Sequence, residues 1–421
     1  MKKIFLTLIL IISSASLFGY YSSENMIDML VHSNQLRIRT DRLGALFGNR
    51  NIRAVVGLTG ANIASGTILN NVTANDKLDS EKGLLTTFVP SVLGAIGYEN
   101  DTIGVALGYE FTWKAPYYMV HTPILHMTAM NDSFRINIPV SIGLGSESSY
   151  NFGGNKPNLK GTMVVSTGVE ARYYFNLPIF SHIRVFFNYG NAKVQSIDDA
   201  KANLVQQSVG FQARAYFRHE FDYGMVLEPI IRVQFDTALP TRKTGFNNNS
   251  AVSIVDNYFI TAKGFSPSDT IKTAGQEGSG GASTTGELKG GYIASIPNGY
   301  YAEAPYRIGV AFPLGFRATS EDKNIEFYLE PALSLTIVNA KTIYDIRGPQ
   351  NGYFTDEWKV KGPFYTLGYV VYGELYIRPI PQLEWYSEIQ TGGASVLPSN
   401  LSSGSSTTLV FNASTGITWY F

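Results

Sequence analysis

A chain of 421 residues with 33 basic and 33 acidic side chains carries no formal net charge, which removes the electrostatic case for nucleic acid as a partner. It has no cysteine, so no disulfide staples it and no lipoprotein anchor can be attached. Charged residues make up 16% and glycine, tyrosine and phenylalanine are abundant, too polar a mixture for a bundle of membrane helices.

The first element is a leader. Met1-Lys2-Lys3, an apolar run over 4–12 and Ser13-Ser14-Ala15-Ser16 form the pattern of a secretory signal peptide, 1–19, with cleavage after Gly19 or, alternatively, Ser16. Its apolar part is too short to anchor in a bilayer, and no other run approaches the length of a membrane-spanning helix. Residues 20–50 read differently. Ile27, Leu30, Val31, Ile38 and Leu46 lie roughly on one helical face, while Leu36-Arg37-Ile38-Arg39 also reads as a short strand. This segment is either a plug entering a barrel, or a periplasmic extension or short helix closing its base, and the second is the commoner arrangement.

From 51 onward, long two-residue alternations take over. Ile103, Val105, Leu107, Tyr109, Phe111 and Trp113 alternate with small or polar residues; so do Phe134, Ile136, Ile138, Val140, Ile142 and Leu144, and again Tyr306, Ile308, Val310, Phe312, Leu314 and Phe316. Such runs have the roughly 9–11 residues of a tilted membrane strand, where strands of soluble sandwiches have about 5–6. Short links at 99–101, 129–132, 177–182, 220–224, 319–324 and 379–382 alternate with long polar ones around 60–84, 145–161, 191–203, 237–303, 339–362 and 392–407. The expectation is an all-β antiparallel transmembrane barrel over 51–421, with short periplasmic turns and long extracellular loops. About fourteen strands are predicted, with twelve to sixteen open; Pro123 weakens the strand at 117–128. The long surface loop 237–303 contains a glycine-rich stretch, 278–286, with too little apolar surface to pack, and a more apolar part, 252–260, able to rise above the barrel or fold into it.

At the end of the chain, Leu409, Phe411, Ile417, Trp419 and Phe421 share one face of a last strand, and Trp419 and Phe421 are the candidate barrel-assembly signal. Trp113 and Trp385 join Trp419 as candidate interface residues on the outer surface. The opposite phase of the strands holds the charges. Glu110, Arg135, Glu170, Arg172, Arg184, Arg214, Arg218, Glu228, Arg232, Asp236, Arg307, Arg317, Glu326, Glu330, Glu374, Arg378, Glu384 and Glu388 are expected to line the interior. Their absence from the apolar phase fits the cost of a charge on lipid, a few kcal/mol near the midplane. They either pair into networks, the safer reading for most, or oppose one another across a pore; the near balance of signs argues against strong ion selectivity.

Chemistry finds little support. Phosphate-binding and nucleophile-elbow patterns are absent, and His121 and His126, five apart, sit on opposite faces of a strand. No catalytic, metal or cofactor site is expected. The leader, Tyr20-Tyr21, the stretch from Asn34-Gln35-Leu36-Arg37 to Leu43-Gly44 and the end Trp419-Tyr420-Phe421 resemble the variable surface proteins of intestinal spirochaetes (Brachyspira). The resemblance implies an abundant outer-membrane protein exposed to a host, with no catalytic residues to carry over. Two functions stand together: a porin-like passive channel for small polar solutes, and a surface-display or antigenic protein without transport. A hydrophobic-substrate transporter with 20–50 as its hatch is the third. Expected partners are membrane lipid, the outer-membrane assembly machinery, host surfaces or antibodies, and further copies of the chain.

Overall fold

Period-two alternation forces each strand to present one apolar and one small or polar face, and a wall of such strands is stable in lipid only if it closes. The computed structural model describes residues 22–40, 42–61, 89–115, 117–147, 159–175, 177–195, 203–221, 224–244, 260–265, 271–272, 287–288, 299–301, 306–339, 343–345, 363–396 and 407–421. The leader 1–19, the glycine-rich stretch 278–286 and Trp358 lie outside these residues.

The wall has sixteen strands: β1 (Gln35–Arg39), β2 (Arg42–Gly48), β3 (Ile52–Ala61), β4 (Val89–Glu99), β5 (Ile103–Ala115), β6 (Tyr118–Ala129), β7 (Phe134–Gly145) and β8 (Met163–Tyr174), then β9 (Phe180–Gln195), β10 (Asn203–Phe217), β11 (Met225–Thr244), β12 (Tyr306–Thr319), β13 (Ile325–Asn339), β14 (Phe364–Ile380), β15 (Leu383–Val396) and β16 (Thr407–Tyr420). A two-residue ladder at His219–Glu220 extends the wall beyond β10. Each strand pairs antiparallel with the next, and β1 pairs with β16 from Gln35↔Tyr420 to Arg39↔Gly416, which closes the barrel. Two small ladders, Ile271–Lys272 with Glu287–Leu288 and Gly299–Tyr301 with Ile343–Asp345, lie in the long connectors.

Sixteen replaces the expected fourteen, and the barrel starts at Gln35 rather than 51. The two added strands are the shortest in the wall, five and seven residues, below the length that marks a membrane strand in sequence. Pro123 does not break β6. It faces outward, and the ladder to β7 simply skips from His121↔Ile142 to Ile124↔Pro139. The long connector begins after Thr244 rather than at 237, because β11 runs on for twenty residues in all.

The apolar phase is outside. Leu107 is 63% exposed while its neighbours Ala106 and Glu110 on the other phase are 1% exposed. Trp385 and Trp419 share the outer surface, Trp113 is half-buried on the same phase, and Phe421 is exposed at the end of β16.

Two segments fill part of the interior. A 3-10 helix, Ser23–Asp28, and Met29 and Leu30 after it pack against the inner face of the wall. Met26, Met29 and Leu30 pack with Leu46, Val55, Leu93, Ala106 and Ile124. Glycines on β5 make the room: a Cβ at Gly108 would stand 2.7 Å from Met26 Sδ. The second segment, 260–265, belongs to the long connector predicted as a surface loop. Ile260, Ala262 and Phe265 are buried with Tyr118, Val120, Leu159, Val164 and Ala192, because the upper wall of β6, β8 and β9 presents small and apolar residues there. At Gly190 a Cβ would lie 1.9 Å from the Ile260 carbonyl oxygen.

Candidate functional site

In an antiparallel sheet an inward residue sits opposite an inward residue, about 4.8 Å away on the next strand. The register therefore builds a lateral row of arginines across five strands: Arg135↔Arg172, Arg172↔Arg184, Arg184↔Arg214 and Arg214↔Arg232. The two ends of the row differ in their partners.

At the β7–β8 end, Asp28 of the N-terminal helix takes a hydrogen bond from Arg135 on one oxygen (2.7 Å) and from Arg172 on the other (2.8 Å). Arg172 also donates to Glu170 at 2.6 Å. Burial disfavours the Asp28 anion, but Arg172, His32, Arg135 and Arg184 outweigh it and hold the carboxyl well below its usual range. Burial, with Arg135, Arg172 and Arg37 nearby, moves His32 the other way from protonation, down to about 4.

At the β9–β11 end the partners are neutral. Arg184 donates through Nε to His182 (3.2 Å), Arg214 to the Gln212 amide oxygen (2.6 Å) and Arg232 to the Gln234 amide oxygen (2.8 Å). Aromatic rings back two of the guanidiniums, Tyr216 under Arg184 and Phe186 under Arg214. Among the described residues no carboxylate is in ion-pair range of these three.

Further round the wall, on β13 and β14, two carboxylates are held by hydroxyl groups. Glu330 accepts from the Tyr328 hydroxyl and Glu374 from Tyr372 and Tyr376. Glu388 is held by Arg39 (2.8 Å) and Ser414 (3.0 Å). Lower on this side, Glu326 accepts from Arg317 and Arg378, Glu228 stands 3.8 Å from Arg317, and Glu384 takes a bond from Arg378 at 2.8 Å. Arg307 is held by Asp236 at 2.8 Å. Arg218 belongs to the basal turn, paired with the exposed Glu220 rather than with the wall charges. Glu110 accepts from the Ser23 backbone N–H and from Lys263 Nζ, both at 2.7 Å, and so joins the N-terminal helix to segment 260–265.

Sequence reasoning omitted Asp28, Lys263, Arg37 and Arg39. Arg37 and Arg39 flank the outward Ile38 at period two, a signal that was present; Arg37 lies under the Tyr386 ring at 3.9 Å. Asp28 and Lys263 leave no periodic trace, since their roles depend on where their segments fold. Among the described residues no cluster of histidines and carboxylates has the arrangement of a metal site, and no helix is long and apolar enough to cross a membrane. The wall can hold, orient and repel charge.

Solved structures similar to this chain are outer-membrane proteins. A chain titled "Bacterial polysaccharide outer membrane secretin" aligns with a TM-score of 0.42 and 10% identity over 92% of this chain and 98% of its own. OmpT, an outer membrane protein of Vibrio cholerae, aligns with a TM-score of 0.30 and 9% identity over 92% and 96%. The β domain of the Bordetella autotransporter BrkA aligns with a TM-score of 0.23 and 7% identity over 92% and 99%. No curated protein matches the chain. The family model described as Serpulina hyodysenteriae variable surface protein matches residues 2–420, essentially from end to end. With this match, the chain, a closed barrel with an outward apolar belt, belongs to the Serpulina hyodysenteriae variable surface protein family.

Proposed function

We propose that this protein is a passive outer-membrane channel for small polar solutes, exported by the leader 1–19 and displaying its long connectors at the cell surface. The observation that carries the reading is the inner wall: a closed ring of strands whose interior bears charges of both signs, several of them held only by neutral groups. A wall meant only to anchor loops would gain little from guanidiniums with no carboxylate in ion-pair range, since burying a charge is costly unless it is closely paired or hydrated. Water in the interior resolves that cost. The N-terminal helix and segment 260–265 narrow the path along β4–β10, so permeation runs beside the β11–β16 arc. No catalytic step is part of this reading.

The same two segments favour a second reading, surface display without transport, in which they and the residues around them close the interior. A hydrophobic-substrate transporter fits poorly with so charged a wall. Swelling of liposomes carrying the full-length protein separates the first two. A neutral monosaccharide should enter and swell them well above protein-free vesicles. Swelling no faster than in protein-free vesicles contradicts the channel and leaves display.

A further inference from the structure

The arginine row contains an internal example of what it binds. Asp28 places one carboxylate oxygen on Arg135 and the other on Arg172, two guanidiniums facing each other across adjacent strands. The same row continues without a break to Arg184, Arg214 and Arg232. There, neutral acceptors fix the side chains through part of their donor forks and leave the remaining N–H groups; the carboxylates that act on these arginines, Asp28, Asp236 and Glu330, do so from beyond ion-pair range, with Gln234 donating to Asp236 at 2.6 Å. Gln212 and Gln234 are themselves hydrogen-bonded at 3.1 Å, so the amides form a rail that sets the two neighbouring guanidiniums in place. All three arginines are half-buried and face the interior. Three like charges side by side repel one another, an arrangement that becomes favourable when an anion joins them.

We propose that Arg184, Arg214 and Arg232 form a binding station for small multivalent oxyanions. One carboxylate spans two neighbouring guanidiniums at Asp28, so a ligand that engages all three carries at least two anionic oxygen groups, as in dicarboxylates or linked phosphates. The station rests on the channel reading to the extent that solutes must reach the interior, and it deepens that reading by giving the channel a preferred cargo. Asp28 occupies the first two arginines at neutral pH, so the station begins at Arg184, where the hydrogen bonds of the N-terminal helix end.

Isothermal titration of the full-length, detergent-folded protein at low ionic strength tests the station without requiring conduction. Pyrophosphate and succinate serve as separate probes. The expected result is saturable binding of at least one, with pyrophosphate alone marking a phosphate-bearing ligand and succinate marking carboxylates. Arg214→Gln and Arg232→Gln should each weaken binding about tenfold or more, since hydrogen bonds to charged groups are worth about 1.5–3 kcal/mol. Arg214→Lys, which keeps the charge and loses the fork, should fall between. Arg50→Gln, at an exposed basal turn paired with Asp101, should bind as the wild type does. Heat-modifiable electrophoretic mobility reports that each variant has folded. Absence of binding by both probes overturns the proposal, as does equal affinity in the folded Arg→Gln variants. Vesicles that fail to swell while the titration succeeds would sink the channel and leave the station; swelling with a flat titration would do the reverse.

Discussion

At Asp28, two strands of the wall and one turn of helix converge on a single carboxylate. Its ion pairs with Arg135 and Arg172 are almost wholly buried, at 5% side-chain exposure for the aspartate. Breaking a buried pair by removing one partner costs about 3–5 kcal/mol because a charge is left behind. Asp28→Asn is therefore expected to release residues 22–34 from the wall while the strands stay paired. The pH dependence has a defined sign. The depressed Asp28 carboxyl contributes stability that is complete above its ordinary value of about 3.9 and is lost as the pH falls below it. His32, neutral when folded and lowered to about 4, contributes stability that is complete above about 6.5 and is lost between there and about 4. Hydrogen exchange of residues 22–34, corrected for its intrinsic pH dependence, should show protection falling between about pH 6.5 and 4 and collapsing below about pH 3.9. Equal protection at pH 7 and pH 4, or an Asp28→Asn segment as protected as the wild type, would contradict this account. Little of it was legible beforehand. A lone aspartate between Ile27 and Met29 looks like an interruption of an apolar run until the arginines of β7 and β8 are brought to it.

Strands and segments differ in how well period and length identify them. Strands such as β5, β7 and β12 carry their two faces in the order of their residues. β1 and β2 do not, because five or seven residues are too few to separate a two-residue period from a helical one, and the same apolar positions served both. Segment 260–265 escaped for another reason: a surface loop and an inward-folding one have similar compositions, and the difference lies in a glycine seventy residues earlier. Gly190 admits the Ile260 carbonyl where any Cβ would clash. Gly190→Val should therefore displace segment 260–265 and weaken the bond from Lys263 to Glu110 (2.7 Å) that ties it to the N-terminal helix. The expected outcome is new proteolytic sensitivity near Lys263 and faster sugar entry in the swelling assay, with β9 still paired. Unchanged cleavage and unchanged swelling would mean that the loop does not depend on this contact.

For the whole molecule, the outward apolar belt and the inward charge are consequences of one requirement, that no backbone edge or side-chain charge face lipid. The row of arginines needs only the register of neighbouring strands, but it shares one interior with the tyrosine-held carboxylates because the wall closes. What sequence could not provide was the register at the seam, since five residues of β1 must find their place against a strand nearly four hundred positions away. The seam is also where the account is most exposed. If the first barrel strand were β3, as length alone suggested, residues 22–48 would be a free extension and the interior would be smaller by two strands. The chain has no cysteine, so introduced thiols report without background. Ile38 and Ile417 are direct partners across the seam and both face outward, 51% and 49% exposed. In the folded, membrane-resident protein, Ile38→Cys with Ile417→Cys should cross-link efficiently with a short bifunctional reagent. The control pair Ile52→Cys with Ile417→Cys should not. Cross-linking of the control pair in place of the seam pair would contradict the sixteen-strand barrel.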